Sequence, residues 1–315
     1  MPAVTPTDTK SVPSVPDATG VVRPVEQVAT AVSSFEGAGF PVRRPFPGAI
    51  DLQHADPFLM LDQMGPVDYL PGKAVGAPDH PHRGFETVTY LIDGEMEHRD
   101  SYGGGGVIRG GDTQWMTAGA GLVHSEMPTE KMMREGGVLH GVQLWVNLPR
   151  TDKRAEPRYQ DITGDQLSLF RNADGTALVR LIAGDVAGVK GPGSTHTPIA
   201  WAHATLQPGA HIALEWPSQF NALVYVLSGS GRVGGPDGEV VRSGQVAAFG
   251  AGDVLIVDAD SDAGAPLEVL LLGGKPIREP VFSYGPFVMN TKQEIIEAMD
   301  DFEAGRMGSI PPRVG

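Results

Sequence analysis

The sequence predicts an all-β fold of two consecutive β-barrel or β-sandwich domains, followed by one C-terminal helix. Glycine (42) and proline (27) are abundant in the 315 residues, while hydrophobic residues make up 41%, a balance typical of short strands joined by tight turns. Apolar stretches of strand length recur between Gly-rich turns. In addition, "FETVTYLIDG" (85–94) aligns without a gap with "FNALVYVLSG" (220–229), which indicates two copies of one β-unit.

The predicted elements follow in a simple order. Residues 1–25 are rich in Pro, Thr, Ser, Val and Asp without periodicity, so we expect a disordered or loosely attached extension. Residues 26–150 then form the first β-domain, with strands such as "GFETVTYLIDG" and "VLHGVQLWVNLP". Residues 151–315 form the second β-domain, which begins within a charged, Pro-containing linker, "RTDKRAEPRYQDI".

The C-terminal segment "NTKQEIIEAMDDFEAGRMG" has a different periodicity from the strands. Its apolar residues stand at helical spacing: Ile295, Ile296, Met299 and Phe302. Asn290 or Thr291 can cap the start of this helix, and Gly305 can end it.

Composition excludes several classes of function. The chain has no cysteine, so disulfides, thiolate zinc sites and cysteine nucleophiles are ruled out. The net charge of -14 argues against direct binding of nucleic acid, which needs clustered Lys and Arg. No apolar run reaches the ~18 residues of a membrane span, and the N-terminus lacks the pattern of a secretory signal. We therefore expect a cytoplasmic protein without membrane contact.

Two short pairs of polar residues can together form a metal site. His80 and His82 flank a proline, and His124 and Glu126 have the same spacing, so in extended chain each pair points to one side. Three imidazoles and a carboxylate suit five- or six-coordinate iron or manganese with open positions for water, O2 or substrate. Each pair alone is more often an ordinary surface or hydrogen-bonded pair. The second repeat has Glu215 and Pro217 where the first has the two histidines, which favours a specific role in the first copy.

Glu86 is the alternative carboxylate. By strand parity it lies on the same side as His80 and His82, unless Gly84 forms a bulge. It could bind the metal in place of Glu126. Alternatively, it could contact one of the metal-binding side chains without touching the metal itself.

Other polar residues are candidates for the wall of a substrate pocket. Gln114 and Met116 alternate with a tryptophan and could line a cavity. His98 could line the pocket or be exposed. His140 alternates in phase with apolar residues, so it is either a buried core histidine or a pocket residue.

With these residues in view, the chain resembles the pirin family of the cupin superfamily. The resemblance rests on five segments: "DPFLMLDQM" (56–64), "DHPHRGFETVTYLIDGEMEHRDS" (79–101), "GDTQWMTAGAGLVHSEMP" (111–128), "HGVQLWVNLP" (140–149) and "GPFVMNTKQEI" (285–295). It implies two consecutive cupin barrels (a bicupin). It also implies one metal ion in the N-terminal barrel, held by His80, His82, His124 and Glu126, with Glu86 as the second choice of carboxylate.

The resemblance also implies a choice of activities. Some pirins resemble quercetin 2,3-dioxygenases, which open the central ring of a flavonol with O2 and release carbon monoxide; Glu126 or Glu86 would then act as the catalytic base. Other pirins resemble non-catalytic, iron-dependent regulatory binding proteins, which act as transcriptional co-regulators or modulate a metabolic enzyme. The expected cofactor is one divalent metal ion, iron(II) first, with Mn, Ni, Cu, Co or Zn as alternatives. A cupin isomerase or hydrolase is a third, weaker interpretation.

Overall fold

The computed structural model describes residues 11–312, whose regular secondary structure is mainly β-strand. The first half of the chain contains β1 (Val25–Thr30), β2 (Val32–Glu36), β3 (Phe40–Phe46), β4 (Phe58–Tyr69), β5 (Ala77–His82), β6 (Phe85–Asp93), β7 (Glu95–Asp100), β8 (Gly105–Arg109), β9 (Thr113–Thr117), β10 (Leu122–Pro128) and β11 (Gly137–Asn147). Two short helices interrupt these strands, α1 (Leu52–Ala55) and α2 (Glu130–Glu135).

The second half continues the same pattern. Its strands are β12 (Arg158–Ile162), β13 (Ser168–Arg171), β14 (Ala177–Ala183), β15 (Asp185–Val186), β16 (Val189–Lys190), β17 (Ile199–Leu206), β18 (His211–Glu215), β19 (Asn221–Ser228), β20 (Ser230–Val233), β21 (Glu239–Arg242), β22 (Gln245–Phe249), β23 (Val254–Ala259), β24 (Leu267–Gly274), β25 (Phe282–Tyr284) and β26 (Phe287–Met289). A 3₁₀ turn spans Gly164–Gln166, and α3 spans Lys292–Glu303.

Each domain contains one large and one small antiparallel sheet. The first domain has a seven-stranded sheet in the order β12-β9-β6-β11-β4-β3-β2 and a four-stranded sheet in the order β5-β10-β7-β8. The second domain has the sheets β1-β22-β19-β24-β17-β14-β13 and β18-β23-β20-β21. The repeated segments of the sequence, β6 and β19, hold the same place in the two large sheets. The predicted all-β fold of two cupin domains with a C-terminal helix is confirmed.

The C-terminal helix begins where its capping residues predict. The Thr291 side chain accepts a hydrogen bond from the Glu294 backbone N–H, and Gly305 follows the helix at φ 72°. Ile295 and Ala298 are buried against the first domain beside Val123, so the helix belongs to that domain's surface. Within residues 11–312, no helix is both long enough and apolar enough to cross a membrane.

The two domains pack through the outer faces of their large sheets. One apolar cluster joins Val88 and Leu144 of the first domain to Leu223 and Leu270 of the second. Because the other face of each large sheet covers its own barrel interior, the central strands are buried on both faces. This double burial explains why every residue of β6 from Phe85 to Ile92 is buried, including the polar Glu86, Thr87 and Thr89.

Each domain includes segments that come from the other part of the chain. A single boundary at residue 150 therefore does not separate the two domains. Strand β1 lies at the edge of the second domain's large sheet, paired with β22, although it belongs to the predicted first domain. Strand β12, from the predicted linker, occupies the matching edge of the first domain beside β9. The β25–β26 hairpin and α3 also return to the first domain, where Asp301 pairs with Arg83 at 2.7 Å.

The segment before β1 is attached to the second domain. Residues 1–10 of the predicted disordered extension lie outside the described residues. From there on, Val15 and Ala18 donate backbone hydrogen bonds to Arg171 and Ala213. Arg23 is 2% exposed and its guanidinium donates to four carbonyl groups of the second domain: Gly250, Pro217, Ser218 and Phe220. Residues 11–25 are therefore attached to the second domain, whereas a loose extension was expected. Buried Arg23 contributes to this attachment, because it satisfies main-chain acceptors that would otherwise lack donors.

A buried lysine joins three segments of the first domain. The Lys153 ammonium donates to Gly84 O at 2.9 Å, Asn147 Oδ1 at 2.8 Å and Val288 O at 3.0 Å. Burial lowers the pKa of Lys153 to about 8, and the three acceptors match its three N–H groups. Lys153 thus ties the C-terminal hairpin to the start of β6.

Replacing this lysine should destabilise the protein. Lys153→Met leaves three buried acceptors without a donor, so we expect the free energy of unfolding to fall by about 3 kcal/mol in chemical denaturation. Lys190→Met, which changes an exposed lysine, is the matched control and should leave stability unchanged. Equal stability of the two variants would contradict the role of Lys153.

The domain interface also holds buried polar groups. His140 Nε2 accepts a hydrogen bond from the Gln63 amide at 3.0 Å, and Gln63 Oε1 accepts one from Tyr225 of the second domain at 2.7 Å. Burial lowers the pKa of His140 to about 4, with His203 and Arg43 adding to the effect and Asp93 opposing it. His140 is therefore held neutral at the interface.

Acid should weaken this interface. The folded-state pKa of His140 lies below its ordinary value of 6.5, so the unfolded chain takes up the proton first as pH falls. Stability is then lost between pH 6.5 and about 4, by about 3 kcal/mol for this residue alone. The free energy of unfolding, measured across this pH window, should fall less for His140→Gln than for the parent protein. An equal fall in both proteins would contradict this role of His140.

Candidate metal centre

Three histidines from two neighbouring strands come together at one end of the first barrel. His80 and His82 stand on β5, and His124 stands on β10 directly opposite His80 in the antiparallel pair. Residues opposite each other in such a pair point to the same face, so all three imidazoles converge. One nitrogen from each lies within 4.8 Å of the others, an arrangement that can hold a metal ion. The structure thus joins the two predicted pairs at their histidines.

The hydrogen bonds of these rings leave the metal-binding nitrogens free. His80 Nδ1 lies 2.7 Å from Pro78 O, and His82 Nδ1 lies 3.2 Å from Pro286 O, so both Nδ1 atoms donate. Each Nε2 then carries a lone pair, and the two Nε2 atoms are 3.1 Å apart. His124 Nε2 is buried and has no hydrogen-bond partner among the described residues. The donor set fits a divalent metal.

Burial keeps the deep imidazoles neutral. His82 is 3% exposed and His124 is fully buried. Desolvation, together with the neighbouring histidines, holds the pKa of both residues well below the ordinary value. A neutral imidazole is the form that binds metals, so the site does not have to lose protons to bind one near neutral pH.

Glu126 lies next to the histidines but outside their close group. Its Oε1 accepts a hydrogen bond from Thr89 Oγ1 at 2.7 Å, and its Oε2 accepts one from the Gln143 amide at 2.8 Å. Thr89, Gln143 and Asp62 are directly opposite one another on β6, β11 and β4, so they form a polar row across the inner face of the large sheet. This row fixes the Glu126 carboxylate, and each oxygen keeps a second lone pair for a metal or a substrate.

The structure does not bring Glu86 to the histidines. Phe85 packs edge-on against His82, so its neighbour Glu86 points to the opposite face of β6. There its carboxylate accepts hydrogen bonds from Thr117 at 2.7 Å and Thr195 at 2.6 Å. Burial raises the pKa of Glu86. The parity argument fails at Gly84, which interrupts the extended chain with a φ of 90°.

His98 lies behind His124, away from any opening. It is 1% exposed, and its Nδ1 is 3.4 Å from His124 Nδ1 and 2.6 Å from the Gln114 amide. Its ring stacks on Tyr159, and its Nε2 lies 3.5 Å from Asp100 Oδ2. His98 and Gln114 therefore support a histidine of the site.

A cavity of about 680 Å³ opens beside the histidines. His80, His82 and Glu126 form one part of its wall, together with Gln143 and Trp145. None of the four predicted pocket residues lines it. His98 and Gln114 lie behind His124, Met116 packs with Leu122 and Tyr159, and His140 faces the other domain. The cavity lies towards β3 and β4. The predicted residues His98, on β7, and Gln114 and Met116, on β9, would have placed it on the other side of the barrel.

Several wall residues were missed by sequence reasoning. Leu59, Met60, Val281 and Val288 provide apolar surface, while Glu36, Arg44 and Asp62 provide charge. The inner polar row had one signal in the sequence, which is a polar residue within a largely apolar strand. Examples are Thr89 in "ETVTYLID" and Gln143 in "GVQLWV". The charged residues come from distant strands and carry no local signal.

Comparison with known proteins agrees with the architecture. The family model "Pirin" matches residues 39–146, and the model "Pirin C-terminal cupin domain" matches residues 201–308. A pirin-like protein of Arabidopsis thaliana is 45% identical over 280 residues, covering 87% of this chain and 86% of the relative. Human pirin is 38% identical over 275 residues, covering 87% and 90%.

A solved structure is similar over nearly the whole chain. The quercetin 2,3-dioxygenase of Acinetobacter baumannii is 37% identical, with a TM-score of 0.85, and the match covers 92% of this chain and 100% of that one. The two family models lie on the two domains described above, and the relatives span both. The chain therefore belongs to the pirin family of the cupin superfamily.

Proposed function

We propose that this pirin is a metal-dependent dioxygenase that opens the ring of a flavonol-like substrate with O2. The observation that carries the proposal is the group of three histidines beside an open cavity, where the Nε2 atoms of His80 and His82 lie 3.1 Å apart. The similarity to a quercetin 2,3-dioxygenase supports the same chemistry. The proposed cofactor is one divalent ion, iron(II) first, with Mn, Ni, Cu, Co or Zn as alternatives.

The proposed metal ligands are His80, His82 and His124, with Glu126 as the nearby carboxylate. The bound ion would supply Lewis acidity towards a substrate oxygen and an open position for O2. The protein supplies the rest of the site. Apolar side chains of the cavity, including Leu59 and Val288, would hold the flat rings and exclude water.

Glu126 is the proposed base. A flavonol must lose its ring hydroxyl proton before its oxygen becomes a good ligand, and a carboxylate beside the site can accept that proton. The hydrogen bonds from Thr89 and Gln143 hold the carboxylate in one orientation while leaving lone pairs free. Glu86 is withdrawn as a candidate base, because it faces the domain interface.

Metal content tests the proposed ligands. His82→Ala or His124→Ala should reduce bound metal, measured by elemental analysis, from about one ion per chain to near zero, since removing one of three imidazoles opens the site. His211→Ala, in the second domain, is the matched control and should keep its metal. Full metal content in both site variants, with the fold intact by circular dichroism, would show that the ligands are assigned wrongly.

Turnover tests the proposed activity. The protein loaded with iron(II) should consume O2 in the presence of quercetin and release CO. Glu126→Gln should lower kcat/KM by about 10²-fold or more, the usual contribution of a general base, whereas the exposed Glu303→Gln should have no effect.

Three outcomes separate the roles. If Glu126→Gln keeps its metal and loses turnover, Glu126 is the base. If it loses both, Glu126 is a metal ligand. Absence of turnover in the parent protein with iron(II), Mn, Ni, Cu, Co and Zn alike would refute the dioxygenase and favour the regulatory protein that binds a partner.

A further inference from the structure

A charged cluster in the same cavity is not explained by metal binding. The Arg44 guanidinium donates from Nε and Nη2 to the two Asp62 oxygens, at 2.7 and 2.6 Å. The same Nη2 also donates to Glu36 Oε1 at 2.6 Å. All three residues line the cavity that contains His80 and His82. We name this set, Glu36, Arg44 and Asp62, the charged wall.

The charged wall leaves one acceptor and one donor available. Asp62 is 3% exposed and uses both oxygens on Arg44. The Glu36 side chain is 38% exposed and the Arg44 side chain 23%. Among the described residues, Glu36 Oε2 and Arg44 Nη1 have no recorded hydrogen-bond partner. A ligand that both donates and accepts hydrogen bonds would satisfy the two atoms together.

The sign of the charge restricts the ligand further. Two carboxylates and one guanidinium give the charged wall a net charge of -1 when all are ionised. A carboxylate, sulfate or phosphate on the ligand would be repelled here, since removing such a group from water needs a compensating positive charge. Neutral hydroxyl groups fit, because they can donate to Glu36 and accept from Arg44.

The position of the charged wall matches the far end of an aromatic ligand. Asp62 stands directly opposite Gln143, which donates to Glu126, and Arg44 comes from the next strand, β3. Adjacent strands are ~4.8 Å apart, so Arg44 on β3 lies roughly 10 Å across the sheet from β11, the strand of the Gln143 that donates to Glu126. That span is on the scale of a ligand with two or three linked rings.

We propose that the charged wall is a specificity subsite for a catechol ring, two neighbouring hydroxyl groups on the end of the substrate away from the metal. One hydroxyl donates to Glu36 Oε2 and the other accepts from Arg44 Nη1. The proposal rests on the proposed function, because it takes the reacting end of the ligand to lie at the histidines. It makes Glu36 a residue that selects the substrate and takes no part in the ring opening.

The competing explanation is purely structural. Arg44 bridges Glu36 of β2 and Asp62 of β4, so the charged wall could simply hold three strands of the large sheet together. Glu36→Gln separates the two explanations, because the amide keeps the shape of the side chain and leaves the pair of Arg44 and Asp62 intact. A structural role would change the affinity of all ligands alike, whereas a recognition role changes only those with hydroxyl groups on the far ring.

The test compares three flavonols that differ only in that ring. Quercetin carries the catechol, kaempferol one hydroxyl and galangin none. Dissociation constants would be measured by fluorescence without O2, on the metal-loaded protein and on Glu36→Gln, with Glu303→Gln as control. The parent and the control should bind quercetin about tenfold more tightly than galangin, the value of one charge-assisted hydrogen bond. Glu36→Gln should bring that ratio close to one and leave galangin unchanged.

The remaining outcomes are equally informative. A ratio near one in the parent protein, or an unchanged ratio in Glu36→Gln, would overturn the subsite even if quercetin is turned over. Catechin has the same catechol ring but lacks the ketone of a flavonol, so it probes the subsite apart from the reaction. One further outcome is that no flavonol is consumed while the binding of catechin and of quercetin both depend on Glu36. That result would support the subsite and refute the dioxygenase activity. If none of the ligands binds, both proposals fall.

Discussion

Two main-chain carbonyl groups determine what the histidine group can do. Pro78 O and Pro286 O accept hydrogen bonds from the Nδ1 atoms of His80 and His82, which fixes each ring as the tautomer with a free Nε2. Without these acceptors, the Nε2–H of one imidazole could donate to the Nε2 of the other. That hydrogen bond would occupy the lone pair that a metal needs. The candidate centre therefore depends on backbone geometry as much as on the histidines themselves.

The position of Pro286 explains why the chain folds back on itself. This residue lies 204 positions after His82, in the hairpin that returns from the second domain to the first. Lys153 holds the same hairpin in place, and the ion pair of Arg83 with Asp301 attaches the helix α3 that follows it. Gly84 permits the close contact, since a β-carbon there would overlap the Val288 carbonyl. The orientation of the His82 ring and the attachment of the C-terminal segment are thus physically coupled.

Local patterns in the sequence were sufficient for the fold and for three of the imidazoles. Alternation within His80-Pro81-His82 and near His124 fixed which side chains share a face, and the repeat revealed two equivalent domains. The prediction for Glu86 failed because the positive φ of Gly84 breaks the alternation, and no residue pattern reports that angle directly.

The pocket wall was beyond such reasoning for a different reason. Arg44, Asp62 and Pro286 reach the cavity from strands that pair only in the folded barrel, so their proximity has no signature in sequence spacing. Two of the proposed pocket residues, Gln114 and His98, do face the barrel interior, but they face a filled part of it. Parity predicts the face of a strand and not where along that face a cavity opens.

The central claim is that three imidazoles of one barrel hold the metal. X-ray absorption spectroscopy at the edge of the bound metal tests it most directly, because imidazole rings give characteristic multiple scattering beyond the directly bound atoms. The expected signal requires three imidazole ligands, with oxygen donors completing the coordination. A spectrum fitted fully by two or fewer imidazoles would contradict it.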